Sequence, residues 1–533
     1  SIVTEGVNKL CFFGVRIDIV SDHILPYHEN GRYKDVSKEE DKLDFLYRDI
    51  KDYGVGHLCS VDWDFNENNK VNHVFSEFIP SYETPDIEAV PRNKYAPFVE
   101  ERGQLMPPPF LINNQCLNFK WLSTIKDTTD EEIQKALLIF VDTYRQWIDS
   151  LESKVSEGDK SFARYNIEMC RKDHLRMRSN VQKILSDKDN MLAFRLMNTA
   201  MFMQLWHNNK KQTFKADDLP DFDEDFYRNA DEDIFNIGSP ASWRPFQLAF
   251  ILLNLDGIIQ HPDDIKWEYR NDSVDLVWFP TGGGKTEAYL GIIGMSIIFR
   301  RRKYGEKGYG VSTIMRYTLR LLTNQQVQRA LSLILALEQI RRWGSKYKLG
   351  TQEISIGLYV GSNSLPNKRE DLDKEATSWT DRNDGENNTK IPLDRCPWCG
   401  GRLEYVDNAF CCSNDDCTFE EGLPVRLCDE DIYNYPPTLL FGTVDKFASI
   451  AHKVSTTKMG DDSRRLFGKG KNLNVLPPDL IIQDELHLLL GPLGSAVSLF
   501  ECAIDQLCTR DDGTRPKIIS STATTRNTDL QIR

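Results

Sequence analysis

The spacing of hydrophobic and polar positions changes twice along the 533 residues of this chain. Early on, Leu10–Val20 is rich in β-branched and aromatic residues and predicts a strand, and Lys38–Asp52 predicts a charged amphipathic helix. Pro107-Pro108-Pro109 marks a loop. From about 129 to 210 the apolar period becomes helical: Leu137, Leu138, Phe140, Val141, Tyr144 and Trp147, then Leu192, Phe194, Leu196 and Met197, predict core faces of a helical bundle. After about 240, short apolar runs alternate with helical stretches. Strands are predicted at Asp275–Phe279, Val311–Met315, Ile354–Val360, Leu439–Phe441, Leu480–Ile482 and Lys517–Ile519, with helices at Thr286–Phe299 and Leu321–Ile340. That alternation predicts a parallel α/β sheet with crossover helices, interrupted by the polar stretch Ser362–Lys390 and a cysteine-rich segment. The expected organisation is a mixed α/β domain at 1–128, a helical region at 129–216, an acidic linker at 217–239, and an α/β domain at 240–533 with an insert at about 391–422. The length itself suggests about three or four domains.

Charge and composition narrow the function classes. The 66 Lys+Arg against 80 Asp+Glu give a net charge of −14, which argues against a surface coated for polyanions but permits a local basic channel. A hydrophobic share of 40% places the chain among folded proteins. Twelve cysteines are too dilute for a secreted disulfide scaffold and suggest a reducing compartment, the cytoplasm. No apolar run reaches bilayer length; Phe246–Leu255, the longest, is broken by Gln247 and Asn254. The N-terminus lacks a signal pattern and an initiator Met, as in a processed or partial chain. The acidic run from Asp217 to Asp233 reads as a solvated linker, or as a mobile segment competing with nucleic acid for a basic groove. Arg300-Arg301-Arg302-Lys303 reads as a solvated helix end.

Two motifs carry chemistry. Phe279-Pro280-Thr281-Gly282-Gly283-Gly284-Lys285-Thr286 follows a predicted strand and opens a predicted helix, the context a phosphate-binding loop needs. Glycines let backbone N–H groups approach phosphate, and the helix N-terminus adds positive partial charge. Lys285 is suited to the β/γ oxygens and the Thr286 hydroxyl to Mg²⁺. Phe279 stands where the strict motif has its first glycine. The second motif, Asp484-Glu485-Leu486-His487, ends the strand Leu480-Ile481-Ile482-Gln483. Asp484 is placed to hold Mg²⁺, mainly through water, and Glu485 to orient and deprotonate an attacking water. The two motifs are expected at neighbouring strand ends.

Cys396-Pro397-Trp398-Cys399, followed by Cys411-Cys412 and Cys417, has zinc-ribbon spacing. The expected ligands of a structural Zn²⁺ are Cys396, Cys399, Cys412 and Cys417, with Cys412 taken over Cys411 by analogy to ribbons ending Cys-x-Asn-x-x-Cys. Four thiolates leave no open position for water.

Over roughly 240–533 the sequence resembles superfamily 2 helicases and translocases with a DExH motif. Thr281–Thr286 looks like motif I, in which Phe279 at the first position is admissible, and Asp484–His487 looks like motif II. Thr522-Ala523-Thr524 looks like motif III. Arg244-Pro245-Phe246-Gln247 resembles the Q motif, which implies that Gln247 pairs with the adenine edge. The resemblance implies an ATP site of Arg244, Gln247, Thr281, Gly282, Gly283, Gly284, Lys285, Thr286 and Glu287, and coupling through His487, Thr522 and Thr524. Thr318–Gln326 is similar to motif Ia and Gly442–Phe447 to motif Ib, which makes Arg320, Thr323, Gln325, Thr443 and Lys446 the candidate nucleic-acid contacts. No Gln-x-x-Gly-Arg-x-Gly-Arg motif occurs, so a second RecA-like domain with its arginine fingers is expected to be absent here, and ATP hydrolysis to be poor.

Trp243–Leu248, Trp278–Tyr289 and Met315–Thr323, with the zinc ribbon and the helical stretch, resemble the large helicase subunit of DISARM phage-defence systems. That resemblance implies an ATP-dependent DNA helicase or translocase in prokaryotic antiphage defence, with a partner subunit and a DNA methyltransferase encoded nearby. The alternative is an ATP-gated platform that senses foreign DNA ends without unwinding. No Pro-Asp…Glu-x-Lys constellation supports a nuclease.

Overall fold

The computed structural model describes residues 16–22, 24–26, 38–46, 52–55, 59–68, 70–77, 114–153, 155–210, 219–231, 241–259, 268–278, 284–317, 324–380, 390–489 and 491–522. The chain divides into two compact units, Ser1–Pro108 with Ile148–Cys170, and Pro109–Trp147 with Arg171–Arg533. In the first, β1 (Asp18–Val20), β2 (Ser60–Phe65) and β3 (Val71–Glu77) form an antiparallel sheet of order β1-β3-β2. Beside it, Phe45 of helix Glu39–Leu46 stacks on Phe162 at 5.6 Å.

The second unit is built on seven parallel strands: β4 (Val274–Trp278), β5 (Thr313–Tyr317), β6 (Ile356–Tyr359), β9 (Val425–Arg426), β10 (Leu439–Thr443), β11 (Leu480–Gln483) and β12 (Lys517–Thr522). The hairpin β7 (Leu403–Val406) and β8 (Ala409–Cys412) stands apart as its own two-stranded sheet. The seven-stranded order is β4-β12-β11-β5-β10-β6-β9, every pair parallel. With helices on the sheet and the crossovers between its strands, this is the RecA-like α/β architecture expected above, with a ribbon inserted after β6.

The helices explain themselves locally. Thr129 and Glu132 cap helix Asp130–Glu152 reciprocally, the Thr129 N–H donating to Glu132 at 2.8 Å and the Glu132 N–H to the Thr129 hydroxyl at 3.2 Å. Helix Lys188–Lys210 is buried over most of its length. Its Phe194, Met197 and Met201 are buried in one core with Ile292 and Ile293 of helix Lys285–Tyr304 and Leu333 and Leu337 of helix Asn324–Arg342. The helical region is therefore not a separate domain: Asp130–Trp147 and Arg171–Lys210 belong to the sheet's own unit.

Two other expectations change. The acidic run holds a helix, Glu224–Asn229, capped by Asp223, and it buries Phe222 and Tyr227 against Trp206 and His207. Aromatic residues between the carboxylates anchor what charge alone predicts to be a solvated linker. Arg300 and Arg301, read as a solvated helix end, are each 1% exposed. Arg300 serves Asp479 and the carbonyls of Gly308, Pro477, Tyr309 and Leu476, and Arg301 serves those of Gln352 and Glu353. A guanidinium's five donors can satisfy several loop carbonyls at once, which makes its burial tolerable.

Of the predicted strand Leu10–Val20, residues 16–20 are described, and the strand spans Asp18–Val20. Pro107–Pro109 and Leu10–Val15 lie outside the described residues.

Candidate active site and candidate metal centre

The sheet's register brings the motifs to one edge. Thr522 pairs with Trp278, Gln483 with both Ser520 and Arg316, and Thr443 with Tyr317, so the carboxyl ends of β4, β12, β11, β5 and β10 lie together. β12 stands between the strand that enters the glycine loop and the strand that ends in the acidic pair, so the two motifs are one strand apart rather than adjacent. Ligands of open α/β sheets bind outside this edge.

Helix Lys285–Tyr304 starts at Gly284, whose φ of 87° lies in the left-handed region. A Cβ at that position would meet the Gln247 Nε2 at 2.8 Å. The Gln247 side chain is fixed at both ends: Nε2 donates to the Gly284 carbonyl at 2.7 Å, and Oε1 accepts from the Arg244 N–H at 2.8 Å. Pro245 at the first helical turn and this back-bond make Arg244–Gln247 the start of helix Pro245–Ile258.

Lys285 is 7% exposed, and its Nζ has no hydrogen-bond partner among the described residues. A buried ammonium without a partner is costly unless an anion comes to it. Lys285, Thr286, Glu287, Arg244, Gln247, Asp484 and Glu485 line one cavity of about 830 Å³. Thr281, Gly282, Gly283 and Thr524 lie outside the described residues, as do Arg320 and Thr323.

Asp484 is buried, and three donors converge on its Oδ1: the Tyr289 hydroxyl at 3.1 Å, the Ser521 hydroxyl at 2.8 Å and the Glu485 N–H at 3.0 Å. The Tyr289 and Ser521 hydroxyl oxygens lie 2.8 Å apart. Burial and the Asp484 charge push the Tyr289 and Tyr317 phenols well above their ordinary range, so both stay protonated. Tyr289 lies one turn beyond Lys285 on the same helix face; the chain pattern held that signal, but its partner is visible only in three dimensions. Glu485 has φ 54°, a strained conformation for a non-glycine, as found at sites where a side chain is aimed for function. His487 Nδ1 lies 3.1 Å from the Thr522 hydroxyl and 3.4 Å from Glu485, which joins the end of β11 to the end of β12.

The candidate nucleic-acid contacts divide. Gln325 lines the cavity beside Lys285. Lys446 is turned inward: its ammonium pairs with Asp429 at 2.8 Å and bonds Asn367 at 2.9 Å, so its charge is neutralised within the protein. Thr443 is buried, with its hydroxyl unpartnered. Thr443 is the N-cap of helix Val444–Ala448 and Lys446 lies within it, and both side chains are buried. Neither is an exposed phosphate contact in this structure.

The ligating sulfurs of Cys396, Cys399, Cys412 and Cys417 lie within 4.8 Å of one another, all buried. The set fits a closed tetrahedral thiolate site for zinc. The Gly401 N–H points at Cys399 Sγ at 3.4 Å, the kind of outer hydrogen bond that orients a ligand. Cys411, the rejected alternative, is half-buried and faces the carbonyls of Val406 and Ala409, while Cys428 lies outside the group. Trp398, between the first two cysteines, stacks on His207 at 3.5 Å. His207 bonds the Trp398 carbonyl and the Tyr227 hydroxyl, both at 2.6 Å, which fixes the ribbon to helix Lys188–Lys210.

No protein-family model matches the chain. The chain is similar to the DISARM protein DrmA of Bacillus paralicheniformis. The two are 33% identical over 559 residues, covering 95% of this chain. The match covers 46% of DrmA, so the chain spans about half the length of the curated relative. The resemblance to DISARM systems drawn from the motifs is thus supported across the sequence. Likeness to DrmA over so much of the chain also extends into residues 1–235, where no motif carries chemistry. Among the described residues no helix is long and apolar enough to cross a membrane.

Proposed function

We propose that this chain is the first RecA-like half of an ATP-dependent DNA helicase or translocase subunit acting in prokaryotic phage defence, within a DISARM-type complex in the cytoplasm. One observation carries the reading: the buried ammonium of Lys285, without a hydrogen-bond partner among the described residues, shares a cavity with the acidic pair Asp484–Glu485 at the carboxyl edge of the sheet. Likeness to DrmA supports the defence setting and the partner subunit.

The residues fit ATP and Mg²⁺ in chemical terms. Bound ATP supplies a phosphoryl group open to attack by water. Lys285 and the N–H groups at its helix start would hold phosphate oxygens, and their positive field matches the charge that grows on them. Thr286 and Asp484 would hold Mg²⁺. Asp484 is restrained for this by the donors on Oδ1, which fix the carboxylate in direction. Glu485 takes the proton from the attacking water. Thr522 and His487, joined across two strand ends, would report the state of the acidic pair to the nucleic-acid side. Arg320, Thr323 and Gln325 remain the proposed contacts to the nucleic-acid backbone. The four thiolates would hold Zn²⁺ structurally.

The test is Glu485→Gln, measured on the complete protein with single-stranded, duplex and overhang DNA or RNA. Retained ATP binding with turnover lowered about 10²–10⁴-fold is expected. Undiminished hydrolysis would refute the role of Glu485. Turnover stimulated by DNA without strand displacement or translocation would favour the sensing platform.

A further inference from the structure

The four-cysteine ribbon is tied to two helices that wall the cavity beside Lys285. Helix Lys188–Lys210 gives Met201, Gln204 and Leu205 to that cavity, and helix Asn324–Arg342 gives Gln325 and Arg329. His207 of the first helix is fully buried, stacks on Trp398 at 3.5 Å, and donates from Nδ1 to the Trp398 carbonyl at 2.6 Å, with the Tyr227 hydroxyl 2.6 Å from Nε2. Arg342 of the second donates to the Thr418 carbonyl at 2.8 Å and lies over the Phe419 ring at 5.0 Å. The Gln328 amide of the same helix donates to the Pro392 carbonyl at 3.3 Å.

These anchors stand beside the sulfurs. Trp398 lies between Cys396 and Cys399, and Thr418 follows Cys417. How the four thiolates close therefore sets the distance between the point that grips one helix and the point that grips the other. In so small an insert, much of the folding energy is metal-binding energy. The gripped helices are joined in turn to each other and to the helix that carries Lys285. Ser332 donates to Asn208 Oδ1 at 3.1 Å, Arg329 pairs with Glu287 at 3.0 Å, and Met197 packs beside Gly294. A change at the ribbon thus reaches the cavity through packed helices, the kind of contiguous element that carries coupling between separate sites.

We infer that the four-cysteine centre holds the nucleotide cavity in its binding shape, with His207 as the positioning residue that links them, so that metal and nucleotide bind cooperatively. The inference rests on the nucleotide-site reading above and adds the element that controls that site.

The experiment uses the full-length protein, zinc-loaded or stripped with a zinc-selective chelator, and measures binding of a fluorescent non-hydrolysable ATP analogue. Stripping should weaken the analogue roughly 5- to 100-fold, and added zinc should restore it. Linkage makes the effect reciprocal: saturating analogue should tighten zinc, read by competition with a chromogenic chelator, by the same factor. A merely structural centre lowers the melting temperature on stripping but leaves the analogue affinity of the folded protein unchanged. His207→Phe keeps a ring against Trp398 and loses both hydrogen bonds; it should retain one zinc per chain and bind the analogue more weakly than loaded wild type. Equal analogue affinity in loaded and stripped protein overturns the inference, as does a zinc affinity indifferent to the analogue. Should the stripped protein unfold, the loaded His207→Phe protein decides, and wild-type analogue affinity there overturns the inference. A loaded wild-type protein that binds no analogue instead refutes the nucleotide-site reading itself.

Discussion

Replacing Gly284 by alanine tests the proposed phosphate loop at a position with no room for a Cβ. The residue sits at φ 87°, and its new Cβ would lie 2.8 Å from Gln247 Nε2. A side chain in the left-handed region costs about 1–2 kcal/mol. Moving the Gln247 amide aside breaks its bonds to Gly284 and Arg244, each contributing about 0.5–1.5 kcal/mol. The sum is about 2–5 kcal/mol, and the chain can escape most of it by refolding the loop locally. Local escape leaves overall stability near wild type but removes the arrangement that presents Lys285. Nucleotide affinity should then fall by roughly 30-fold or more, since about 1.4 kcal/mol is a factor of ten. Titration of a fluorescent ATP analogue, alongside a thermal melt, measures both quantities. Wild-type affinity in a normally folded Gly284→Ala protein would show that the loop geometry does not control the site.

Asp479, at the opposite end of β11, is fully enclosed by Arg270, Arg300 and Arg510. These guanidiniums hold its carboxyl well below the usual carboxylate range despite burial. A depressed folded-state pKa contributes stability that is fully present above about pH 4 and is lost as pH falls further. Asp479→Ala should destabilise the protein by about 3–5 kcal/mol, because three buried cations lose their common partner, and the acid-induced drop in melting temperature should be shallower than in wild type. An unchanged melting temperature at neutral pH would refute this. For the metal centre, one zinc per chain is expected in a chromogenic release assay, and none in Cys417→Ser. Removing the metal should shift tryptophan emission to the red as Trp398, 0% exposed, loses its enclosure; metal-free protein with unchanged emission would contradict a structural zinc.

The sequence by itself determined the parts whose chemistry is local. A glycine-rich turn between strand and helix, an acidic pair at a strand end and Cys-x-x-Cys spacing each constrain a few neighbouring residues; the acidic pair stands at the end of β11 and the four cysteines cluster, while of the glycine turn only Gly284 is among the described residues. Six of the seven strands of the sheet were equally legible, since buried parallel strands are continuous apolar runs; the two-residue edge strand β9 was not predicted. Only the tertiary structure decided matters of pairing across long separations. It put β12 between the two motif strands, sank Arg300, Arg301 and Lys446 into the protein by giving them carbonyl or carboxylate partners, and joined Tyr289 to Asp484 across 195 residues. It also folded part of an acidic run around Tyr227 and set Gln204 in one cavity with Lys285. The physical reason is the same throughout: side-chain type and spacing fix what a residue can do, but burial and partner depend on which distant segment packs against it.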